Sequence, residues 1–138
     1  MTFQGACLCG AVRYQAHGTP LIQFNCHCRD CQRSTGAAFA PILFFRREDV
    51  QLRGELAHFE SPGGSGAMLR RGFCRQCGAQ MTGEPASAPG LISLRAGTLD
   101  DPALFQPSAD IFVAQAAPWD CLSPLTSKHD GMLPRRGT

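Results

Sequence analysis

Seven of the eight cysteines fall in three tight clusters, Cys7-Leu8-Cys9, Cys26-His27-Cys28-Arg29-Asp30-Cys31 and Cys74-Arg75-Gln76-Cys77, and only Cys121 stands apart. Spacings of one and two residues let neighbouring sulfurs reach one ion, and tetrahedral zinc takes thiolates at about 2.3 Å. A chain with this pattern is constrained to folds that bring distant clusters together. Seven thiols are one too few for two closed four-cysteine sites. They suit one closed site and one site with three protein ligands and an open position. Disulfides are the competing use, but the N-terminus Met-Thr-Phe-Gln-Gly-Ala-Cys lacks the basic start and apolar stretch of a secretion signal. No apolar run approaches the roughly 20 residues that span a bilayer. A cytoplasmic, reducing setting with no membrane contact is therefore expected, and it favours metal over disulfides.

The composition fits one globular domain. Apolar residues make up 43% and charged residues 17%, and 138 residues suffice for a single core. The net charge of +2 is carried by scattered arginine pairs, Arg46-Arg47, Arg70-Arg71 and Arg135-Arg136, with no basic stripe, so nucleic acid is not an expected partner. Fifteen glycines and ten prolines cut the chain into short segments without a sustained 3.6-residue apolar period. β-Branched and aromatic residues or period-two alternation predict strands over 11–16, 21–25, 38–45, 50–53, 57–60, 68–73, 91–96 and 111–113. Short helical turns are predicted over 29–34 and 101–105, the second capped by Asp100 with Pro102 near its start. The fold class is mainly β, with residues 1–133 as one zinc domain and 134–138 as a flexible tail. Ser61-Pro62-Gly63-Gly64-Ser65-Gly66 is the clearest loop, either a hairpin tip or a backbone-rich wall beside a ligand.

Two groupings of the thiols are open. Joining Cys28/Cys31 to Cys74/Cys77 makes an ordinary zinc ribbon but leaves Cys7, Cys9 and Cys26 unused. Joining Cys7 and Cys9 to Cys74 and Cys77 uses every clustered cysteine, because residues i and i+2 of a strand share a face. Gly10 and Gly78 follow the two pairs, where a left-handed turn would aim backbone amides at the sulfurs. That site would be structural and would contribute folding free energy directly. Cys26, Cys28 and Cys31 then remain as a three-ligand site with a catalytic zinc's open position, unless Cys121 closes it. His27, between two ligands, should point away from the metal and orient a thiolate or carry a proton. His17, His58 and His129 read as solvated surface groups, and Tyr14 and Trp119 as core or rim aromatics.

At these residues the sequence resembles the glutathione-dependent formaldehyde-activating enzymes, a family that includes centromere protein V. The resemblance rests on Gly5-x-Cys7-x-Cys9-Gly10-Ala11-Val12-Arg13-Tyr14, Cys26-His27-Cys28-x-x-Cys31, Ser61-Pro62-Gly63 and Arg71-x-Phe73-Cys74-x-x-Cys77-Gly78. It continues through Ala96-Gly97-Thr98-Leu99-Asp100-Asp101-Pro102 and Ile111-Phe112-Val113 followed by Trp119. It implies a β-tent fold with two Zn2+ per chain, structural on the first and third clusters and catalytic on the middle one. It also implies a carbon-sulfur lyase activity, the addition of a small thiol such as glutathione to formaldehyde or another small aldehyde. Cys26, Cys28, Cys31 and His27 would be catalytic, and Ser61, Gly63 and Arg71 would hold the thiol ligand. Asp110 stands where relatives commonly carry histidine, and it would repel glutathione's carboxylates unless Arg71 or Arg70 offsets it. A non-catalytic zinc-binding module of the same fold is the alternative reading.

Overall fold

The computed structural model describes residues 1–134. Of the expected tail only Pro134 is described, and 135–138, with Arg135 and Arg136, lie outside the described residues. The elements are β1 (Thr2–Ala6), β2 (Arg13–His17), β3 (Ile22–Cys26), α1 (Arg29–Thr35), β4 (Ala40–Arg46), β5 (Val50–Arg53), β6 (Leu56–Pro62), β7 (Met68–Cys74), β8 (Gln80–Pro85), β9 (Leu91–Arg95), β10 (Ala109–Ile111) and β11 (Ser127–Lys128), joined by short 3-10 turns. The fold is mainly β, as the residue pattern predicts. No helix among the described residues is long and apolar enough to cross a membrane.

β1, β8 and β11 lie outside the predicted strands. β8 reads Gln-Met-Thr-Gly-Glu-Pro, a sequence with poor intrinsic strand preference that is held by pairing to β7 and β9. The strand expected at 111–113 lies at 109–111, because Phe112 enters the left-handed region at φ 55° and Val113–Gln115 form a 3-10 turn. The Pro102–Leu104 turn is capped by Asp101, whose Oδ1 accepts from the Ala103 amide at 3.0 Å, and not by Asp100. Asp100 instead meets Arg13 at 3.2 Å on the surface.

Two sheets form. The smaller has the order β1-β2-β5, and the larger runs β11-β10-β3-β4-β9-β8-β7-β6. Pairing is antiparallel except where β10 lies parallel to both β3 and β11. Period-two alternation along β4 divides the interior in two. Leu43 and Phe45 join Phe3, Tyr14, Ala16, Val50, Ile92 and Leu94 in the core shared with the small sheet, and Phe3 meets Phe45 edge-on at 5.3 Å. Ala40 and Ile42 point the other way, joining Phe24, Ala109 and Ile111 in a second apolar cluster. Leu43 and Leu94 are fully buried, and each such side chain stabilises the fold by roughly 1.5–3 kcal/mol. Cys7 and Cys74 belong to the first cluster and Cys26, Cys28 and Cys31 to the second, so the large sheet separates the two groups of thiols.

Candidate metal centres and active site

The strands bring the first and third cysteine clusters together. Cys7 follows β1, Cys74 ends β7, and the sulfurs of Cys7, Cys9, Cys74 and Cys77 lie within 4.8 Å of one another. Both turns are tightened in the same way. Gly10 N donates to the Cys7 carbonyl at 3.2 Å and Gly78 N to the Cys74 carbonyl at 2.8 Å, with φ near 80° at each glycine. Amides of Val12 and Gln76 approach Cys7 Sγ and Cys74 Sγ at 3.2 and 3.3 Å. The separations Cys7–Cys9 and Cys9–Cys74 are 3.6 and 3.7 Å. A tetrahedron with metal–sulfur bonds of about 2.3 Å has edges of about 3.8 Å, so this donor set fits zinc. Amides of Ala79 and Cys9, the former most, pull the Cys77 thiol down to about 6, toward the thiolate a metal needs.

The middle cluster is local. Cys26 ends β3, Cys28 caps α1 while its sulfur accepts from the Cys31 amide at 3.3 Å, and Cys31 sits in the first turn. All three sulfurs lie within 4.8 Å of one another, and the residues are 6, 8 and 4% exposed. No fourth histidine, cysteine or acidic ligand atom joins them among the described residues. Cys121 is exposed and outside the group. Hydrogen bonds from Cys26 and Cys31 push the Cys28 thiol down to about 2, whereas Cys28 and Cys31 push Cys26 up. Three soft donors with one already disposed to be a thiolate suit a thiophilic metal.

His27 is fully buried between two carboxylates. Its Nε2 is 2.7 Å from Asp110 Oδ1 and its Nδ1 is 3.2 Å from Asp120 Oδ2, the second contact being close in distance but off-line for a hydrogen bond. The ring also tilts against Phe39 at 5.1 Å. Asp110 accepts from the Thr126 hydroxyl and faces Lys128 Nζ at 3.3 Å. Burial raises the Asp110 pKa, but hydrogen bonds from His27, Thr126, Lys128 and Asn25 outweigh it, so the carboxyl stays below its ordinary value. The Asp110 charge is thus compensated inside the protein. By the β10–β3 register Asp110 shares the rung of Asn25, one residue out of step with Cys26. Gln32 completes the frame, donating to the carbonyls of His27 and Gln115 at 2.8 and 2.9 Å.

The expected ligand-holding residues lie on β6, β7 and the turn that joins them. Ser61 on β6 and Arg71 on β7 meet, Arg71 Nη1 donating to Ser61 Oγ at 2.9 Å, while Gly63 N closes the hairpin tip on the Ala67 carbonyl at 2.7 Å. The tip packs on the chain itself, since a Cβ at Gly64 would stand 2.7 Å from the Phe112 ring. Arg70 is half exposed and engaged with Glu60 and Glu84, whereas Arg71 is buried and has no acidic partner among the described residues. An open cleft of about 320 Å³ lies between the end of α1 and the Gly78 turn, lined by Thr35, Phe39, Gln80 and Thr98 among others, and no cysteine lines it. Tyr14 is in the core, its hydroxyl 2.8 Å from Thr98 Oγ1, whereas Trp119 is 72% exposed and lies outside the core. Asp120, Lys128 and the buried Arg95 are absent from the residue-level expectation. For Arg95 a signal existed, because Ser93 and Arg95 are polar at alternate positions of an otherwise apolar strand.

A mainly β protein with one four-thiol and one three-thiol cluster on opposite sides of a sheet is the class these features define. The family described as Glutathione-dependent formaldehyde-activating enzyme (GFA) matches residues 2–115, and the chain belongs to it. Among solved structures it is similar to a protein from Rhodobacter sphaeroides, with a TM-score of 0.56 and 26% identity over 70% of this chain and 87% of that one. No curated protein matches the chain.

Proposed function

We propose that this protein adds a small thiol, glutathione or an analogue, to formaldehyde or another small aldehyde in the cytoplasm, as a zinc-dependent enzyme of the carbon-sulfur lyase class. The observation that carries this reading is the group of three buried thiols within reach of one ion and, among the described residues, without a fourth protein ligand. Cys7, Cys9, Cys74 and Cys77 would hold a structural zinc, and Cys26, Cys28 and Cys31 a catalytic one, within a single domain of residues 1–133. Bound at three thiolates, zinc supplies an open position that lowers the pKa of an incoming thiol.

The chain's own residues have separable tasks. Cys28, whose sulfur accepts from the Cys31 amide at 3.3 Å, would be held by that contact as one of the three ligands of the metal. His27 acts as a positioning residue, because both ring nitrogens face carboxylates and none of the ring reaches solvent. Arg71, with Ser61 and the Gly63 turn, meets the polar end of the thiol. In the reaction the thiol sulfur loses its proton and gives an electron pair to the carbonyl carbon. The carbonyl π pair moves to oxygen, which takes up a proton, so thiol and aldehyde leave as one hydroxymethyl thioether. Holding the two reactants together is the main physical contribution expected of such a site.

Formaldehyde combines with glutathione unaided, so the test is rate enhancement over that background, followed by exchange NMR. The zinc-loaded protein should hold one metal at each of the two clusters. Cys28→Ser should lose the enhancement and one metal equivalent while staying folded. One zinc in the unaltered protein, or full enhancement in Cys28→Ser, would leave only a non-catalytic zinc module.

A further inference from the structure

Two arginines are buried on the face of the large sheet that carries the middle cysteines. Arg71, Gly83, Ser93 and Phe44 occupy one rung across β7, β8, β9 and β4. Arg95, Ile42 and Phe24 occupy another rung of the same face, and Phe24 and Ile42 pack with Cys26, Cys28 and Cys31. Arg71 is 5% exposed and Arg95 4%. A desolvated guanidinium is costly unless an anion accompanies it, yet among the described residues no carboxylate comes within 4.0 Å of either. Each spends one nitrogen on a serine, Arg71 on Ser61 and Arg95 on Ser93 at 3.1 Å. Both Nε atoms are buried without a partner.

The residue beside the Arg95 guanidinium is a glycine. A Cβ at Gly83 would stand 2.7 Å from Ser93 Oγ and 3.5 and 3.6 Å from the two terminal nitrogens of Arg95, so only glycine leaves that side of the guanidinium clear. Burial lowers the Arg95 pKa, Cys31 opposes the shift and the Arg71 charge adds to it, as expected for a cation lying between the cysteines and a second cation. Two neighbouring forks with unspent N–H donors match the lone pairs of one planar oxyanion, which accepts two parallel bonds from a guanidinium.

We propose that Arg71 and Arg95 form a receptor for one carboxylate of the substrate, over Gly83 and beside the three-cysteine cluster. The proposal rests on the thiol-aldehyde reading and adds that the thiol is anionic and that Arg95 is a specificity-determining residue. The Ser61 and Ser93 hydroxyls are the groups an incoming carboxylate would share or displace.

Calorimetric titration of the zinc-loaded protein with glutathione, its dimethyl ester and S-methylglutathione tests this. Esterification should weaken binding about tenfold or more, the scale of a lost charge-assisted fork. In Arg95→Met, Arg95→Lys and Gly83→Ala the acid and the ester should bind alike, with metal content unchanged. S-Methylglutathione binding as tightly as glutathione, still with an Arg95-dependent ester penalty, would remove the thiol reading and leave the carboxylate receptor standing. Equal binding of acid and ester by the unaltered protein, or no binding of either acid, overturns the receptor. Loss of metal from the middle cluster in Arg95→Met would assign Arg95 to balancing the thiolates and overturn it too.

Discussion

The two cysteine groups reverse the usual relation between coordination and shelter. The complete set of four is partly exposed, with Cys9 at the surface and Cys77 half-buried, whereas the incomplete set of three is buried throughout. The four tie β1 to β7 across the core between the two sheets, and the three are held by one turn and one helix on the opposite face. Position explains the contrast. A closed site needs no approach route and tolerates water at its rim, while a site with an open position gains from dry surroundings, where electrostatic interactions are stronger. Removing thiols from each group should therefore fail in different ways.

The largest effect expected is in Cys74→Ser. Structural zinc sites supply folding free energy on the order of 10 kcal/mol at neutral pH, so the variant should show no cooperative unfolding transition by circular dichroism even with excess zinc. Cys31→Ser should be folded and lose only the metal of the middle cluster and the thiol-binding heat. Equal damage from the two would show that both clusters hold the fold and would erase the contrast. Next comes the frame behind the buried group. Asp110→Asn leaves His27 with a weakened partner, and spoiling such a buried hydrogen bond destabilises by about 1–3 kcal/mol, read from denaturant midpoints. The Asp110 pKa is depressed in the folded state, so its contribution is present above the ordinary value of 3.8 and disappears as pH falls through the folded value. The gap between Asp110→Asn and the parent should therefore close below about pH 4. The smallest effect belongs to Cys121→Ser, an exposed residue outside both groups, expected within about 0.5 kcal/mol and with unchanged zinc by elemental analysis.

The metal-ligand spacing is the part of the molecule most legible in sequence, because thiol pairs one or two residues apart act locally and need no knowledge of topology. Strands such as β5 and β9 are legible for a similar reason, since Val50-Gln-Leu-Arg and Leu91-Ile-Ser-Leu-Arg carry their own β preference. β8 is not, because its glycine, glutamate and proline form a strand only between two neighbours. The Asp110–His27 pair is illegible for a related reason. It spans 83 positions and depends on β10 returning parallel to β3, so an aspartate that reads as a charge facing the ligand instead meets the His27 ring and faces the Lys128 ammonium inside the protein. Arg71 and Arg70 are equivalent in sequence and opposite in the fold, one facing in and one facing out, as alternation along a strand requires.

The four-thiol group also imposes an order on biosynthesis. Cys26, Cys28 and Cys31 are all made within six residues, so they can capture an ion almost as soon as they leave the ribosome. Cys7 and Cys9 are made first yet must wait for Cys74 and Cys77, and the Cys9–Cys74 contact alone spans 65 positions. At translation rates of about 5–20 residues per second that wait lasts several seconds, during which a pair of bare thiols sits beside a completed triad that competes for the same metal. With metal bound at both groups, the nascent chain would fill the interior group before the one that closes its fold, and scarcity of metal during synthesis would show first as chains loaded in the middle and loose at the ends.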